Sequence, residues 1–479
     1  MRAKKIAIVG GASKAAAMVA RAMVMRRLNI KGVPNIVVFE PNPLGGSWSG
    51  DHGYTDGQQI LCTPPEMDFG FPYSSETGLR EPADDPANLK GMAAEIARRL
   101  QTDLSWQSYL MLTDKTGERW AEYVVRGQPN PRHREWFRYH TWVFDQDKDK
   151  DKDKDKEAFT HERHRVTKIY RACRSSETSW TVVWSDEAGK ERSDDFDAVV
   201  LTGTGPANRT RVEPKGVASP FMTDGYDFWK HTRHFREQAF RNPDGLRIAV
   251  IGSGGGAATI LAWLASVFGH TGTQLTSISP LGAFFPRGDG IAERHWTYDV
   301  EGWGEQTPDF RRDIIRRTDA GVISGRLKHE IEQADVGFVA SRIDKVGRLA
   351  DDRFILFDEA DNEVSDVTHV VRALGFDGWD LFRLVHGEAG ALDKKLHELL
   401  GIWLLSAHDG EDRTLYNEER KRVGKARKRI EGEISHDLSV PGFPGLLVPG
   451  LSGLQGLGFP SLGCLGLMAA RILDPYVGA

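Results

Sequence analysis

Two stretches of the chain run through the same order of apolar and polar positions. The apolar run Lys5 to Val9 reads as a strand, followed by a glycine turn, a helix from Ser13 to Leu28 and a second strand from Asn35 to Glu40. The order returns at Arg247 to Ile251, passing through a glycine turn and a helix to the strand Gln274 to Ser279. Between the two, residues 41–75 are rich in Gly, Pro, Ser and Asp and read as structured loop, and a Trp- and Tyr-rich segment from Trp106 to Phe144 reads as helical. Strands are predicted at Val166 to Tyr170, Trp180 to Ser185 and Ala198 to Thr202. Further on, Arg311 to Gln333 reads as helical, and His369 to Ala373 as a strand that returns the chain to the first unit. Glu418 to Glu431 reads as an exposed, strongly basic helix face, and Val440 to Ala479 as a Gly/Pro-rich segment followed by an apolar helix.

One segment breaks the pattern. Asp145 to Lys156 alternates Asp and Lys, and none of its residues has apolar surface to bury against the cost of ordering. It reads as a solvated insertion over 145–157, with an interaction tail as the alternative.

A chain of 479 residues is too long for one ordinary core and points to two or three domains. The repeated unit makes the expected fold α/β, with two Rossmann-like dinucleotide-binding domains. Asp197 to Pro206 and His369 to Phe376 read as crossings on either side of the second unit, which places that unit inside the first. The expected division is 1–210 and 372–479 for the first dinucleotide domain and 211–371 for the second. A formal net charge of -5 argues against a nucleic-acid partner. No uninterrupted apolar run is long enough to span a bilayer, and the first residues enter a strand with no room for a secretory apolar region. A cytoplasmic protein is therefore expected. Cys62, Cys173 and Cys464 lie far apart without a CxxC pair, which disfavours a disulfide framework, a dithiol reductase and a zinc site; no metal is expected.

The glycine turns carry the candidate chemistry. A dinucleotide pyrophosphate sits at a helix N-terminus, where unpaired N–H groups and the helix dipole favour negative charge and side chains would block the approach. The second turn, Gly252-Ser253-Gly254-Gly255-Gly256-Ala257, fits G-x-G-x-x-G/A between a strand and a helix. The first, Gly10-Gly11-Ala12-Ser13-Lys14-Ala15, has Ala where the second and third glycines would stand. Glu40 strengthens it, because an acid closing the second strand can accept hydrogen bonds from a ribose diol; a solvated strand-end carboxylate is the plainer alternative. The second unit ends its strand Ser277-Ile278-Ser279-Pro280 without an acid, which permits a 2′-phosphate, and Arg287 follows shortly as a partner for it or as a surface arginine. The candidate FAD contacts are Gly10, Gly11, Ala12, Lys14, Glu40 and Gly203, with Trp48, His52 and Cys62 from the loop region. The candidate NADP contacts are Gly252, Ser253, Gly254, Gly255, Ala257 and Arg287.

Several blocks extend well beyond these turns: Gly45-Gly46-Ser47-Trp48, Tyr54-Thr55-Asp56-Gly57, Leu61-Cys62-Thr63-Pro64-Pro65-Glu66-Met67-Asp68, Gly70-Phe71-Pro72-Tyr73, Ser105-Trp106-Gln107-Ser108-Tyr109-Leu110, Leu451-Ser452-Gly453-Leu454, Gly458-Phe459-Pro460-Ser461-Leu462 and Cys464-Leu465-Gly466-Leu467. Through most of its length the chain resembles the flavin-dependent N-hydroxylating monooxygenases, especially the mycobactin-type lysine N6-hydroxylases. The resemblance implies FAD on the first domain, NADPH as its reductant and O2 as co-substrate. It also implies a C4a-hydroperoxyflavin whose distal oxygen is attacked by an unprotonated amine. An ordinary ammonium has a pKa near 10.4, so the site must favour the neutral amine by desolvation or a nearby acceptor. No nucleophilic triad is needed, and no catalytic side chain is assigned. A homodimer or homotetramer is the assembly the family suggests.

The departures from the family bear on the substrate. Lysine and ornithine hydroxylases commonly carry a Lys in the 61–68 block that grips the substrate's α-carboxylate, and here Met67 stands there. A family Asn is replaced by Arg294, with His295 beside it. An arginine can grip a carboxylate bidentately from another side, which would suit an aspartate-like amine. The alternatives are Met67 as core filling, with Arg294 and His295 in internal ion pairs or in solvent. Trp48, Trp106 and Tyr109 pack either against the flavin ring or in the core, and His52 reads more readily as structural. Three other functions compete: a sulfur-oxidising or Baeyer-Villiger flavin enzyme, whose F-x-G-x-x-x-H linker motif is not matched by Phe221 to His231, a non-catalytic dinucleotide-binding protein or redox sensor, and a flavoprotein reductase that never oxygenates.

Overall fold

In the computed structural model the N-terminal pattern forms as β1 (Lys5–Val9), α1 (Ser13–Arg27) and β2 (Asn35–Phe39). The structure describes residues 4–478 except 77–84, 86, 148–156, 175–176, 187, 218–219, 243–244, 270, 287–290, 319–321, 350, 352 and 387–412. For 172–174, 177–178, 291–294 and 413–416 it describes the backbone alone. Most of the Asp/Lys run therefore lies outside the described residues.

The first unit continues through α2 (Leu89–Leu104), α3 (Trp106–Leu112), α4 (Glu118–Val125) and α5 (His133–Asp145). Its strands are β3 (Phe159–Glu162), β4 (Arg165–Arg174), β5 (Glu177–Ser185), β6 (Glu191–Phe196) and β7 (Ala198–Leu201). The second unit opens with β8 (Met222–Asp224), α6 (Thr232–Arg241), β9 (Arg247–Ile251), α7 (Gly255–Phe268) and β10 (Gln274–Ser279). It runs on through β11 (Phe285–Pro286), α8 (Ile291–Tyr298), α9 (Val300–Glu305), α10 (Pro308–Thr318), β12 (Val322–Ile323), α11 (Gly325–Glu332) and β13 (Val336–Ala340). Then come β14 (Ile343–Arg348), β15 (Phe354–Asp358), β16 (Glu363–Val367), β17 (His369–Arg372) and β18 (Val385–His386). The chain closes with α12 (Arg413–Glu433), β19 (Ser439–Val440), β20 (Phe443–Leu447) and α13 (Leu465–Leu473).

Two sheets built around parallel strands organise the molecule. The first has the order β19-β20-β7-β1-β2-β3, and the second β13-β10-β9-β17-β8. In each, alternate residues of the central strand face opposite layers, as the two-residue period of a strand requires. Ile6 and Ile8 of β1 pack with α1, while Ala7 packs with the β4–β6 layer. Ile248 and Val250 of β9 pack with α7, while Ala249 and Ile251 pack with the antiparallel β14–β16 layer. The small residues Ala15, Ala16, Ala17 and Ala20 of α1 are fully buried, and the helix sits inside the core. Arg21 donates to both carboxylate oxygens of buried Asp474, at 2.7 and 2.6 Å, and ties α1 to the end of the chain.

The structure corrects several expectations. His369–Arg372 does not return to the first sheet; β17 pairs in parallel with β9 and β8, so the expected boundary between 371 and 372 falls inside a strand of the second unit. The helical stretch 311–333 is broken by β12 into α10 and α11. Glu418 to Glu431 is helical, but Val423 and Ile430 are buried, so this basic helix is anchored by an apolar stripe. α2, β3 and the β14–β16 meander had not been predicted. None of the helices among the described residues is long and apolar enough to cross a membrane.

Candidate functional site

The two glycine turns lie where β1 and β9 end and α1 and α7 begin. At the first turn the protein's own side chains occupy the space around the glycines. Gly10 has φ 109°, and a Cβ built there would lie 2.5 Å from Thr202 Oγ1. A Cβ at Gly11 would lie 2.7 Å from Glu40 Cβ. Glu40 accepts from the Gly11 N–H at 3.1 Å and from the backbone and side-chain N–H of Asn42 at 3.0 and 3.1 Å. It is thus a clamp on the turn and not a loose strand-end carboxylate. No side chain caps α1 at Ala12, which leaves this helix N-terminus suited to an anion.

Beneath the turn lies His140 of α5, which sequence reading had not singled out. Its Nδ1 faces the Trp136 carbonyl at 2.8 Å and must donate to it. Nε2 is therefore the acceptor for the Ser13 hydroxyl, 2.9 Å away at the start of α1. Burial pushes the imidazole's pKa down to about 4, opposed by the bond to Trp136, so the ring is neutral at ordinary pH.

Lys14 reaches across to the C-terminal segment, where Nζ donates to Pro460 O at 2.9 Å. Lys14 and Gly203 line one cavity of about 280 Å3, together with Thr204, Phe376, Gly450 and Pro460. Gly45 donates its N–H to Gly11 O at 2.8 Å and so places Trp48 beside the turn. Trp48 stands edge-on to His133 at 4.8 Å, and its Nε1 is buried without a hydrogen-bond partner. An unsatisfied buried donor beside an open helix N-terminus fits a bound polar group. His52 packs over Gly46, where a built Cβ would lie 3.2 Å from its ring.

The second turn is more open. A Cβ at Gly252, whose φ is 132°, would collide with the Ala373 carbonyl. Positions 254 and 256 have nothing within 4 Å of a built Cβ. The helix N-cap at Gly254 makes no side-chain bond. Ala257 is fully buried against the strand. Side-chain-free space before an uncapped helix start is the shape that a pyrophosphate needs. Ser253 lies in the same turn, whereas Arg287 is outside the described residues.

Cys62 sits where the loop region meets the second turn: its Sγ is 3.9 Å from a Cβ built at Gly255, and it packs against the second unit's core. The loop that carries it therefore brings the two units together. A second bridge is aromatic. Tyr226 packs against Tyr54 at 4.7 Å and Phe376 at 4.4 Å, and it shares a hydrogen bond with Thr204 at 2.8 Å. These rings come from three distant segments and carried no motif.

The expected substrate residues are only partly drawn together. Met67 is buried. Its neighbour Asp68 is also buried and accepts from Tyr73 OH at 2.5 Å, Trp106 N–H at 2.8 Å and Gly70 N–H at 3.1 Å. Burial pushes the Asp68 pKa up to about 7 against those three donors. α8 meets the same loop, with Tyr298 edge-on to Phe71 at 5.4 Å. His295 is half-exposed, with Nε2 3.1 Å from Asp299 Oδ2 on its own helix. The Arg294 side chain lies outside the described residues. Trp106 and Tyr109 belong to a core cluster with Trp136 and Tyr139.

No family model matches the chain. It is 32% identical to the L-lysine N6-monooxygenase MbtG of Mycobacterium sp. (strain MCS) over 481 residues, spanning 99% of this chain and 95% of that protein. It is also 32% identical to MbtG of Mycobacterium tuberculosis over 474 residues, spanning 98% and 94%. Among solved structures, lysine monooxygenase NbtG from Nocardia farcinica matches with a TM-score of 0.69 at 25% identity, over 98% of both chains. Ornithine hydroxylase PvdA from Pseudomonas aeruginosa, at 16% identity and a TM-score of 0.63 over 99% of both chains, shares the fold.

Proposed function

The chain belongs to the flavin-dependent N-hydroxylating monooxygenases, and from that premise we propose that it hydroxylates the side-chain amine of lysine or a lysine-type compound. FAD and NADPH are its cofactors, with FAD assigned to the first turn and NADPH to the second. The inserted NADPH domain is drawn through β17.

One observation carries the reading: two dinucleotide turns, each at the carboxyl end of a parallel strand, are brought together through Cys62 at Gly255 and through the Tyr54, Tyr226 and Phe376 rings. Reduced flavin supplies the oxygen-activating chemistry when bound. The chain's own residues bind and orient. The N-terminus of α1 and the Gly10–Lys14 turn hold the pyrophosphate, and Glu40, clamped by Asn42 and Gly11, offers its remaining lone pairs to the ribose. Gly254 and Gly256 leave the second pyrophosphate room to approach. Buried, uncharged side chains such as Met67 and Phe71 make the substrate wall costly for an ammonium and so favour the reactive neutral amine.

The test is an amine panel of lysine, acylated lysine, ornithine, simple diamines and aspartate. NADPH oxidation is followed beside a hydroxylamine assay. Lysine or its acylated form is expected to yield hydroxylamine; NADPH consumption without hydroxylamine from any amine would refute N-hydroxylation. Aspartate is the second reading, favoured by Met67, whose thioether cannot hold the α-carboxylate of a lysine. Product from aspartate alone would establish it.

A further inference from the structure

A cavity of about 490 Å3 lies at the carboxyl ends of the second sheet. Its floor is formed by Ile251 and Gly252 of the second turn, with Ile278, Pro280 and Leu374 beside them. A volume of this size is in the range of small-molecule sites. Five arginines line it: Arg209, Arg211, Arg342, Arg420 and Arg427. Three face carboxylates that also line it: Arg211 with Asp344 at 2.8 Å, Arg427 with Asp377 at 3.0 Å, and Arg342 with Glu359 at 3.7 Å. Among the described residues, Arg209 and Arg420 make no hydrogen bond or ion pair, so the lining carries an excess of two positive charges. The Nε of Arg427 is also buried without a hydrogen-bond partner.

The position matters as much as the charge. In a dinucleotide unit the ribose of the adenosine lies off the end of the second strand, where an acid selects the bare 2′-hydroxyl and an arginine the 2′-phosphate. Here that strand is β10, it ends without an acid, and the Pro280 that follows lines this cavity. A phosphate monoester carries about -1.5 to -2 at neutral pH, which matches the excess of two positive charges among the lining residues.

Building on the proposed function, we propose that Arg209 and Arg420 read the 2′-phosphate of NADPH and set its preference over NADH. Arg209 comes from the linker after β7. Arg420 comes from α12, whose Ile430 is anchored in the first unit's core beside Trp379. The basic face of α12 thereby acquires a role, and the phosphate ties the C-terminal segment of the first unit to the second.

Binding of 2′,5′-ADP and of 5′-AMP to the FAD-loaded protein, measured by calorimetry, tests this without turnover. The wild type is expected to prefer 2′,5′-ADP. Arg209→Ala, Arg420→Ala and Arg420→Gln should each weaken 2′,5′-ADP by about tenfold or more, as loss of a charged hydrogen bond implies, with 5′-AMP affinity unchanged. Unchanged 5′-AMP binding also shows that each variant is folded. Lys421→Ala on the same helix should leave the preference intact. If both arginine variants keep the wild-type preference, the arginine assignment is overturned while the NADPH reading stands. A wild type that binds neither nucleotide would overturn the NADPH reading and this assignment together.

Discussion

The two glycine turns occupy matching places in two sheets, yet their glycines answer different demands. At the first, Gly10 and Gly11 are required by the protein itself, because Thr202 and Glu40 fill the volume a side chain would take. At the second, only Gly252 is so required; positions 254 and 256 look onto open space. The regular motif is the one whose glycines are left for a ligand. The irregular one tolerates Ala12 because its shape is held from outside by Glu40, Asn42 and the Ser13–His140 bond. A motif score measures the ligand's demand for space and says little about how the fold supports the turn.

The contrast can be broken by substitution. The largest effect is expected for Gly10→Ala, where a positive φ and a close approach to Thr202 should together cost about 3 kcal/mol or more. Denaturant unfolding followed by flavin fluorescence would show it, and an unchanged midpoint would mean that the first turn is as roomy as the second.

His140 gives the next effect. Its folded pKa of about 4 lies below the ordinary 6.5, so the unfolded chain binds more protons between those values. The stability it contributes is complete above about pH 6.5, declines as pH falls, and is gone below about pH 4, a difference of roughly 3 kcal/mol at 1.36 kcal/mol per pH unit. Buried Asp68, raised to about 7, titrates in the opposite sense, so the useful quantity is wild type minus His140→Gln. FAD retention in the variant should be flatter across this window, and parallel curves would remove His140 from the first seat.

Gly254→Val should leave unfolding unchanged and raise the KM for NADPH by about tenfold, since only the ligand needs that space. A fall in stability instead would show that the fold claims the position. Cys62→Ala is the smallest, with a KM for NADPH altered by less than about threefold and flavin content unaffected. Loss of FAD from that variant would return Cys62 to the first seat.

Much of the fold was legible. The strand, turn, helix and strand of each unit formed where the apolar runs end in glycine. α2 was missed although Leu89, Ala93, Ile96, Leu100 and Leu104 repeat at helical spacing, so the signal was present. β3 was missed because Phe159-Thr160-His161-Glu162 is too polar to stand out; it forms by pairing along β2, with Phe159 alone turned into the core. The break between α10 and α11 is likewise imposed from outside, by the pairing of Val322 and Ile323 with β11. In the first seat, Gly10, Gly11, Lys14, Glu40 and Gly203 were all named and gather around one turn. His140 was not, because 127 residues separate it from Ser13 and a lone histidine on a helix carries no motif.

Local composition determined which segments become the central strands and helices, since apolar runs and glycines act over a few residues through backbone freedom and burial. Near-full-length likeness then determined the family. Only the folded chain decided which distant groups meet: Cys62 at the second turn, His140 beneath the first, and Arg420 over a cavity whose floor lies more than a hundred residues earlier. Such meetings depend on how layers stack and where long connections cross, and no short-range pattern encodes the position of a partner that has yet to arrive.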